Sequence, residues 1–125
     1  MSTIELSKNN YDKTVKEGGI VLVDCWAGWC RPCAAFAPIY EKVAARNPDH
    51  VFGKLDAQSE PDLVSALGIE HIPALLVYRD GVLLFRQAGS FGEETLQDIV
   101  RQAESLDMET VLSDSITVTS DRDSR

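Results

Sequence analysis

The sequence predicts one layered α/β domain built on a mixed β-sheet. Three observations carry that prediction. Apolar runs alternate with stretches whose apolar residues recur at helical spacing, in the order β-α-β-α-β-α-β-β-α. Ala74-Leu75-Leu76-Val77-Tyr78 and Val82-Leu83-Leu84-Phe85-Arg86 are joined by Arg79-Asp80-Gly81, and Asp-Gly between two apolar runs is a strong hairpin signal. That hairpin adds an antiparallel edge to a sheet whose earlier strands are joined through helices. Lastly, Cys30 and Cys33 stand two residues apart where a strand hands over to a helix.

Taken in order, Thr3-Ile4-Glu5-Leu6 reads as a short strand. Asn9 or Asn10 is expected to cap a helix to about Lys16, with Tyr11, Thr14 and Val15 on one side and Gly18-Gly19 as its stop. Ile20-Val21-Leu22-Val23 opens a buried strand through Trp26. A helix follows from about Arg31 to Arg46, with Pro38 inside it as a source of bending. Asn47-Pro48-Asp49-His50 is a turn, and Val51 to Asp56 a second buried strand. Ser59-Glu60-Pro61-Asp62 starts a helix with proline in its first turn; Leu63, Val64 and Leu67 form its apolar face and Gly68 ends it. After the hairpin, Gly92-Glu93-Glu94 opens a last helix, with Leu96, Ile99, Val100 and Ala103 at helical spacing. Residues 1–106 are expected to form the domain. Residues 107–125, rich in Ser, Thr and Asp, read as a mobile polar extension or, alternatively, as an extra helix or strand around Met108 to Val118 docking on the body.

Composition narrows the function. The 125 residues suit one domain, 44% apolar content is ordinary for a globular chain, and 12 basic against 20 acidic residues give a net charge of −8. That balance argues against nucleic acid or an anionic membrane as the main partner. No basic segment followed by an apolar core opens the chain, and no apolar run nears the roughly 20 residues of a membrane span, so a cytoplasmic location is expected. Three clustered cysteines are too few for a disulfide scaffold.

The close pair is then catalytic or metal-binding. Cys30 sits at a helix start, where unpaired N–H groups and a partial positive charge favour a thiolate. Such motifs lower a thiol from about 8.5 to roughly 3.5–7.5. Cys33, about one turn on, lies within reach of a disulfide formed at Cys30. Zinc needs about four ligands, and the remaining Cys25, His50 and His71 are not suitably spaced, so no metal is expected. Haem attachment fails because Ala34 follows Cys33. The pair reads as a dithiol redox site.

The stretch Asp24-x-Trp26-Ala27-x-Trp29-Cys30-x-Pro32-Cys33 resembles the thioredoxin signature. The likeness extends over roughly residues 3–106. Pro38, Lys54 and Asp56 fit, as do Gly68-Ile69-x-x-Ile72-Pro73-Ala74-Leu75, Gly81 and Gly89. It implies the thioredoxin fold, a central mixed sheet of four to five strands flanked by helices on both faces. It also implies a protein-disulfide reductase acting through a mixed disulfide, with Cys30 as nucleophile and Cys33 as resolving thiol. The dithiol carries the electrons without a further cofactor, and an NADPH-dependent flavoprotein thioredoxin reductase regenerates it. The chain is expected to act as a monomer. An oxidase or isomerase using the same residues is the nearest rival, and a redox-silent binding module a more distant one.

Individual residues follow the same pattern. By alternation Asp24 shares a strand face with Leu22 and Trp26, and burial would raise its pKa. On the residues alone it reads equally as a strand-end cap; the resemblance implies proton exchange with Cys33. Lys54 is implied to temper Asp24, against the alternative of an exposed strand lysine. Cys25 faces the other way and reads as a buried core cysteine outside the redox pair. Trp26 is expected to pack under the motif. Trp29 is expected to offer apolar surface to partners, unless it too is core. Pro73 is implied to be cis, although few X-Pro bonds are, leaving Ile72 to pair with an extended substrate segment. Gly89 joins that surface by resemblance. Arg31 and Pro32 are assigned to tuning of the redox pair. Arg31 replaces the usual Gly, and its guanidinium either favours the Cys30 thiolate or changes only docking. Ala74 stands where most relatives have Thr. His71 reads as a surface loop residue and His50 has no assigned role.

Overall fold

A strand with six of its seven residues buried has to be covered on both faces, and Ile20–Trp26 is such a strand. The computed structural model describes residues 2–109. Its strands are β1 (Ile4–Leu6), β2 (Ile20–Trp26), β3 (Val51–Asp56), β4 (Ala74–Arg79) and β5 (Val82–Ala88). Its helices are α1 (Tyr11–Glu17), α2 (Arg31–Arg46), α3 (Pro61–Ala66) and α4 (Glu93–Ser105). The sheet order is β1-β3-β2-β4-β5, so β2 is central. β1, β3 and β2 run parallel, while β4 is antiparallel to β2 and β5 to β4. This is the mixed sheet the alternating pattern predicts.

Alternation along β2 and β4 sorts the core into two layers. Leu22, Leu75 and Val77 pack with Phe36, Tyr40 and Val43 of α2 and Leu96 and Val100 of α4. Val21, Val23, Cys25, Leu76 and Tyr78 face the other way, against Tyr11 and Val15 of α1 and Leu63 and Val64 of α3. On that second side the Tyr11 and Tyr78 hydroxyls meet at 2.7 Å, so neither is buried unpaired. Tyr40, fully buried on the first, donates to the Gly53 carbonyl at 2.8 Å.

The hairpin forms where Asp-Gly places it. Asp80 and Gly81 adopt φ of 52° and 83°, positive at both central positions as a type I′ hairpin turn requires. β5 runs on to Ala88, two residues past the end of its apolar pattern. One capping expectation is corrected. Asn10 occupies the N-cap of α1 but makes no side-chain cap bond; its Oδ1 accepts from the Ser7 N–H at 2.7 Å and closes the preceding turn instead. The expectation for residues 107–125 falls almost wholly outside the described residues. Among the described residues no helix is long and apolar enough to cross a membrane.

Candidate active site

β2 ends at Trp26 and α2 begins at Arg31, and the four residues between carry the chain from sheet to helix. Cys30 is the N-cap of α2, with φ −91° and ψ 110°, and its sulfur accepts from the Cys33 N–H at 3.2 Å. A sulfur that takes one of the unpaired amide donors of a first turn sits where negative charge is favoured. Pro32, in the first turn, has no N–H to leave unsatisfied there. Cys33 lies one turn in, its Cα 5.2 Å from that of Cys30, and the two are joined as a disulfide. Both cysteines are nearly covered, at 5% and 3% exposure, packed with Ala27 and against Trp26, Ala57 and Ile72. Beside them lies a cleft of about 160 Å³ whose walls include Cys33, Lys54 and Trp26 together with Gly28, Ala34 and Ala37.

Asp24 lies on β2, two residues before the strand ends at Trp26. It is wholly buried on the α2 face of β2, and neither carboxylate oxygen has a hydrogen-bond partner among the described residues. Burial pushes its pKa up to about 7, with the Lys54 charge pulling the other way. Lys54 is the register partner of Asp24 on β3. Its ammonium makes no hydrogen bond to the carboxylate; it lies 5.2 Å from the Trp26 ring centroid, a cation–π placement. Cys25 is buried on the opposite face, unpaired, its thiol pushed up to about 12 mainly by burial. That places it apart from the redox pair.

The loop before β4 completes the site. The Ile72–Pro73 peptide is cis. Ile72 packs against the cysteine cluster, and the Gly89 N–H donates to the Pro73 carbonyl at 2.7 Å, tying the end of β5 to this loop. Gly89 has φ of 122°, which side-chain-bearing residues rarely adopt. Trp29 projects from the surface at 69% exposure beside Cys30, so it is not core. Arg31 is exposed. His71 lies on a shallow groove with Glu70, Arg86 and Gln87, next to this loop.

One contact had no signal in the sequence. The Gln58 side-chain oxygen accepts from the Gly28 N–H at 3.2 Å, across the gap between the β3–α3 turn and the cysteine loop. A glutamine in a polar turn is ordinary as a residue type, and only the return of β3 beside β2 brings it to that loop.

A disulfide at a helix start, preceded by a strand that buries a carboxyl and packed against a cis-proline loop, defines a thiol–disulfide oxidoreductase. The thioredoxin family model matches residues 2–102. Among similar proteins, one of Streptomyces coelicolor provisionally named thioredoxin 2 is 49% identical over 110 residues, covering 88% of this chain and 82% of its own. A thioredoxin of Buchnera aphidicola is 36% identical over 99 residues, covering 78% of this chain and 92% of its own. A solved mutant thioredoxin from Halobacterium salinarum superposes with a TM-score of 0.78 at 26% identity, over 85% of this chain and 95% of its own. The chain belongs to the thioredoxin family.

Proposed function

We infer that the chain is a cytoplasmic protein-disulfide reductase in which Cys30 attacks and Cys33 resolves. The carrying observation is the Cys30 sulfur at the N-cap of α2, taking the Cys33 amide. In the reduced protein the Cys30 thiolate attacks one sulfur of a substrate disulfide. That S–S bond breaks, a Cys30–substrate disulfide forms, and the first substrate sulfur leaves as a thiolate that takes a proton from water. Cys33 then gives its proton to the Asp24 carboxylate and attacks the Cys30 sulfur. The Cys30–Cys33 bridge closes and the second substrate thiolate departs. Two electrons have passed to the substrate, and the dithiol itself has carried them.

Lys54, beside Asp24, limits how far its pKa rises and keeps part of the population ionised near neutrality. Trp29 supplies exposed apolar contact, while Ile72, Pro73 and Gly89 offer main chain to an extended substrate segment. Such pairing reads backbone and tolerates many sequences. An NADPH-dependent flavoprotein thioredoxin reductase would return the pair to the dithiol.

The test is the equilibrium of the pair against glutathione, with NADPH consumption followed as a thioredoxin reductase drives insulin reduction. A potential near about −270 mV and sustained turnover fit a reductase; one near about −120 to −180 mV would assign the chain to disulfide formation or isomerisation instead. Arg31→Gly belongs in the same titration. Removing an exposed cation next to Cys30 is expected to make the pair more reducing by up to roughly 30 mV, the equivalent of one thiol pKa unit. If the glycine variant does not move in that direction, Arg31 acts on docking alone.

A further inference from the structure

We propose that Gln58 is a positioning residue for the Cys30 nucleophile, holding the Gly28-Trp29 segment by its amide. This rests on the reading of Cys30 as the attacking thiol. The segment has little else to hold it. Trp29 is largely in solvent, and a Cβ built on Gly28 would meet within 4 Å only Gln58 Oε1. Inside the loop the Cys30 N–H donates to the Ala27 carbonyl at 3.2 Å. From outside, the turn after β3 holds the end of β2 and, at one point, the segment itself. The Ala57 N–H donates to the Trp26 carbonyl at 2.8 Å, and Gln58 Oε1 accepts from the Gly28 N–H.

The turn is itself braced. Asp56 Oδ1 accepts from the Gln58 N–H at 2.9 Å, Asp56 Oδ2 from the Ser59 hydroxyl at 3.1 Å, and the Asp56 carbonyl from the Glu60 N–H at 3.0 Å. Gln58 therefore extends from a locked base. The oxygen of its amide is fixed as the atom facing Gly28, because the partner is a donor.

The consequence concerns geometry at the sulfur. A helix-start charge acts within the first turn and falls off quickly, so the thiolate benefits only while Cys30 holds its cap position. Gly28 lies two residues upstream. Releasing it lets the cap residue wander and weakens the hold on the thiolate. A neutral amide suits this place. A carboxylate could accept the same bond, but it would add a negative charge near a sulfur that must ionise.

The experiment compares wild type, Gln58→Ala and Gln58→Glu by three readouts on the whole chain. These are hydrogen exchange at the Gly28 amide, ultraviolet titration of the Cys30 thiolate in the reduced protein, and insulin turnover. Gln58→Ala is expected to lose protection at Gly28, raise the Cys30 titration by about half a unit or more, and slow turnover at pH 7 by roughly threefold. Gln58→Glu is expected to keep the Gly28 protection yet still titrate higher than wild type, separating the bond from the charge. A melting scan identifies a variant that fails to fold, and Gln58→Asn, whose amide is one methylene short of Gly28, then carries the comparison. The proposal is overturned if the Ala variant shows wild-type titration or wild-type exchange at Gly28, or if the Glu variant loses the Gly28 protection and still titrates with wild type. Turnover absent in wild type as well would instead sink the reductase reading, leaving the titration and exchange data to judge Gln58.

Discussion

Cys30→Ser is expected to abolish insulin reduction, and Cys33→Ser to stop after a single step with substrate attached. The two losses differ in kind. A serine at 30 puts a hydroxyl where the helix start holds a sulfur. It titrates far above any working pH and forms no disulfide, so turnover should fall to background, a loss of roughly a hundredfold or more and about 3 kcal/mol of barrier. A serine at 33 leaves the nucleophile and its cap position in place but removes the group that would attack the mixed disulfide. Intact-mass measurement should find Cys33→Ser carrying one covalently bound substrate chain that dithiothreitol removes, and Cys30→Ser carrying none. Equal, negligible turnover in wild type and Cys30→Ser would mean a binding module rather than an enzyme. Adducts on Cys30→Ser but not on Cys33→Ser would reverse the two roles. Cys25 lies buried on the other sheet face and should form no adduct in either variant.

Asp24→Asn is expected to make the protein more stable and less active at once. Unfolded, the Asp24 carboxyl titrates near 3.8; folded, burial holds its pKa at about 7. Between those values the native state keeps a proton that the unfolded chain has released, so this residue's contribution to stability falls as pH rises through the window. That is the reverse of a salt-bridged carboxylate. Three pKa units correspond to about 4 kcal/mol once both states are ionised. Asparagine removes the charge but buries an amide in a place with no partner, which returns about 1–2 kcal/mol of cost. Denaturant titrations should therefore show the variant ahead by about 2–3 kcal/mol at pH 8–9, with the gap closing as pH falls and the variant behind by about 1–2 kcal/mol near pH 4. A constant gap across that range would mean that Asp24 does not titrate as its burial requires. Activity should move the other way. Without an acceptor for the Cys33 proton, decay of the mixed disulfide should slow by roughly a hundredfold or more near neutral pH, the usual range for a lost general base. Unchanged decay would assign that proton to water in the cleft beside Cys33.

Much of this site can be read from local pattern. Helix spacing, the Asp80-Gly81 turn and the apolar runs define their elements through short-range geometry. The cysteine spacing at a strand-to-helix junction brings the two sulfurs within reach whatever surrounds them. The face on which Asp24 lies follows from strand alternation, and its burial agrees with that face. Lys54 is instructive because the resemblance implies a place near Asp24, which the strand register bears out, but not where its charge goes. The ammonium lies over the Trp26 ring and makes no hydrogen bond to the carboxylate.

What the residue order settles without coordinates is the nature of the chemistry: two thiols, a helix start to ionise one of them, and a strand carboxyl behind them. Those depend on neighbours a few positions apart. The tertiary structure decides how strongly each group is perturbed. Only the packed sheet strips water and partners from Asp24, brings Ile72 to the cysteines, ties Gly89 to Pro73, and hands the Gly28 amide to Gln58. Desolvation and long-range hydrogen bonds depend on residues far apart in the chain, and no local pattern encodes them.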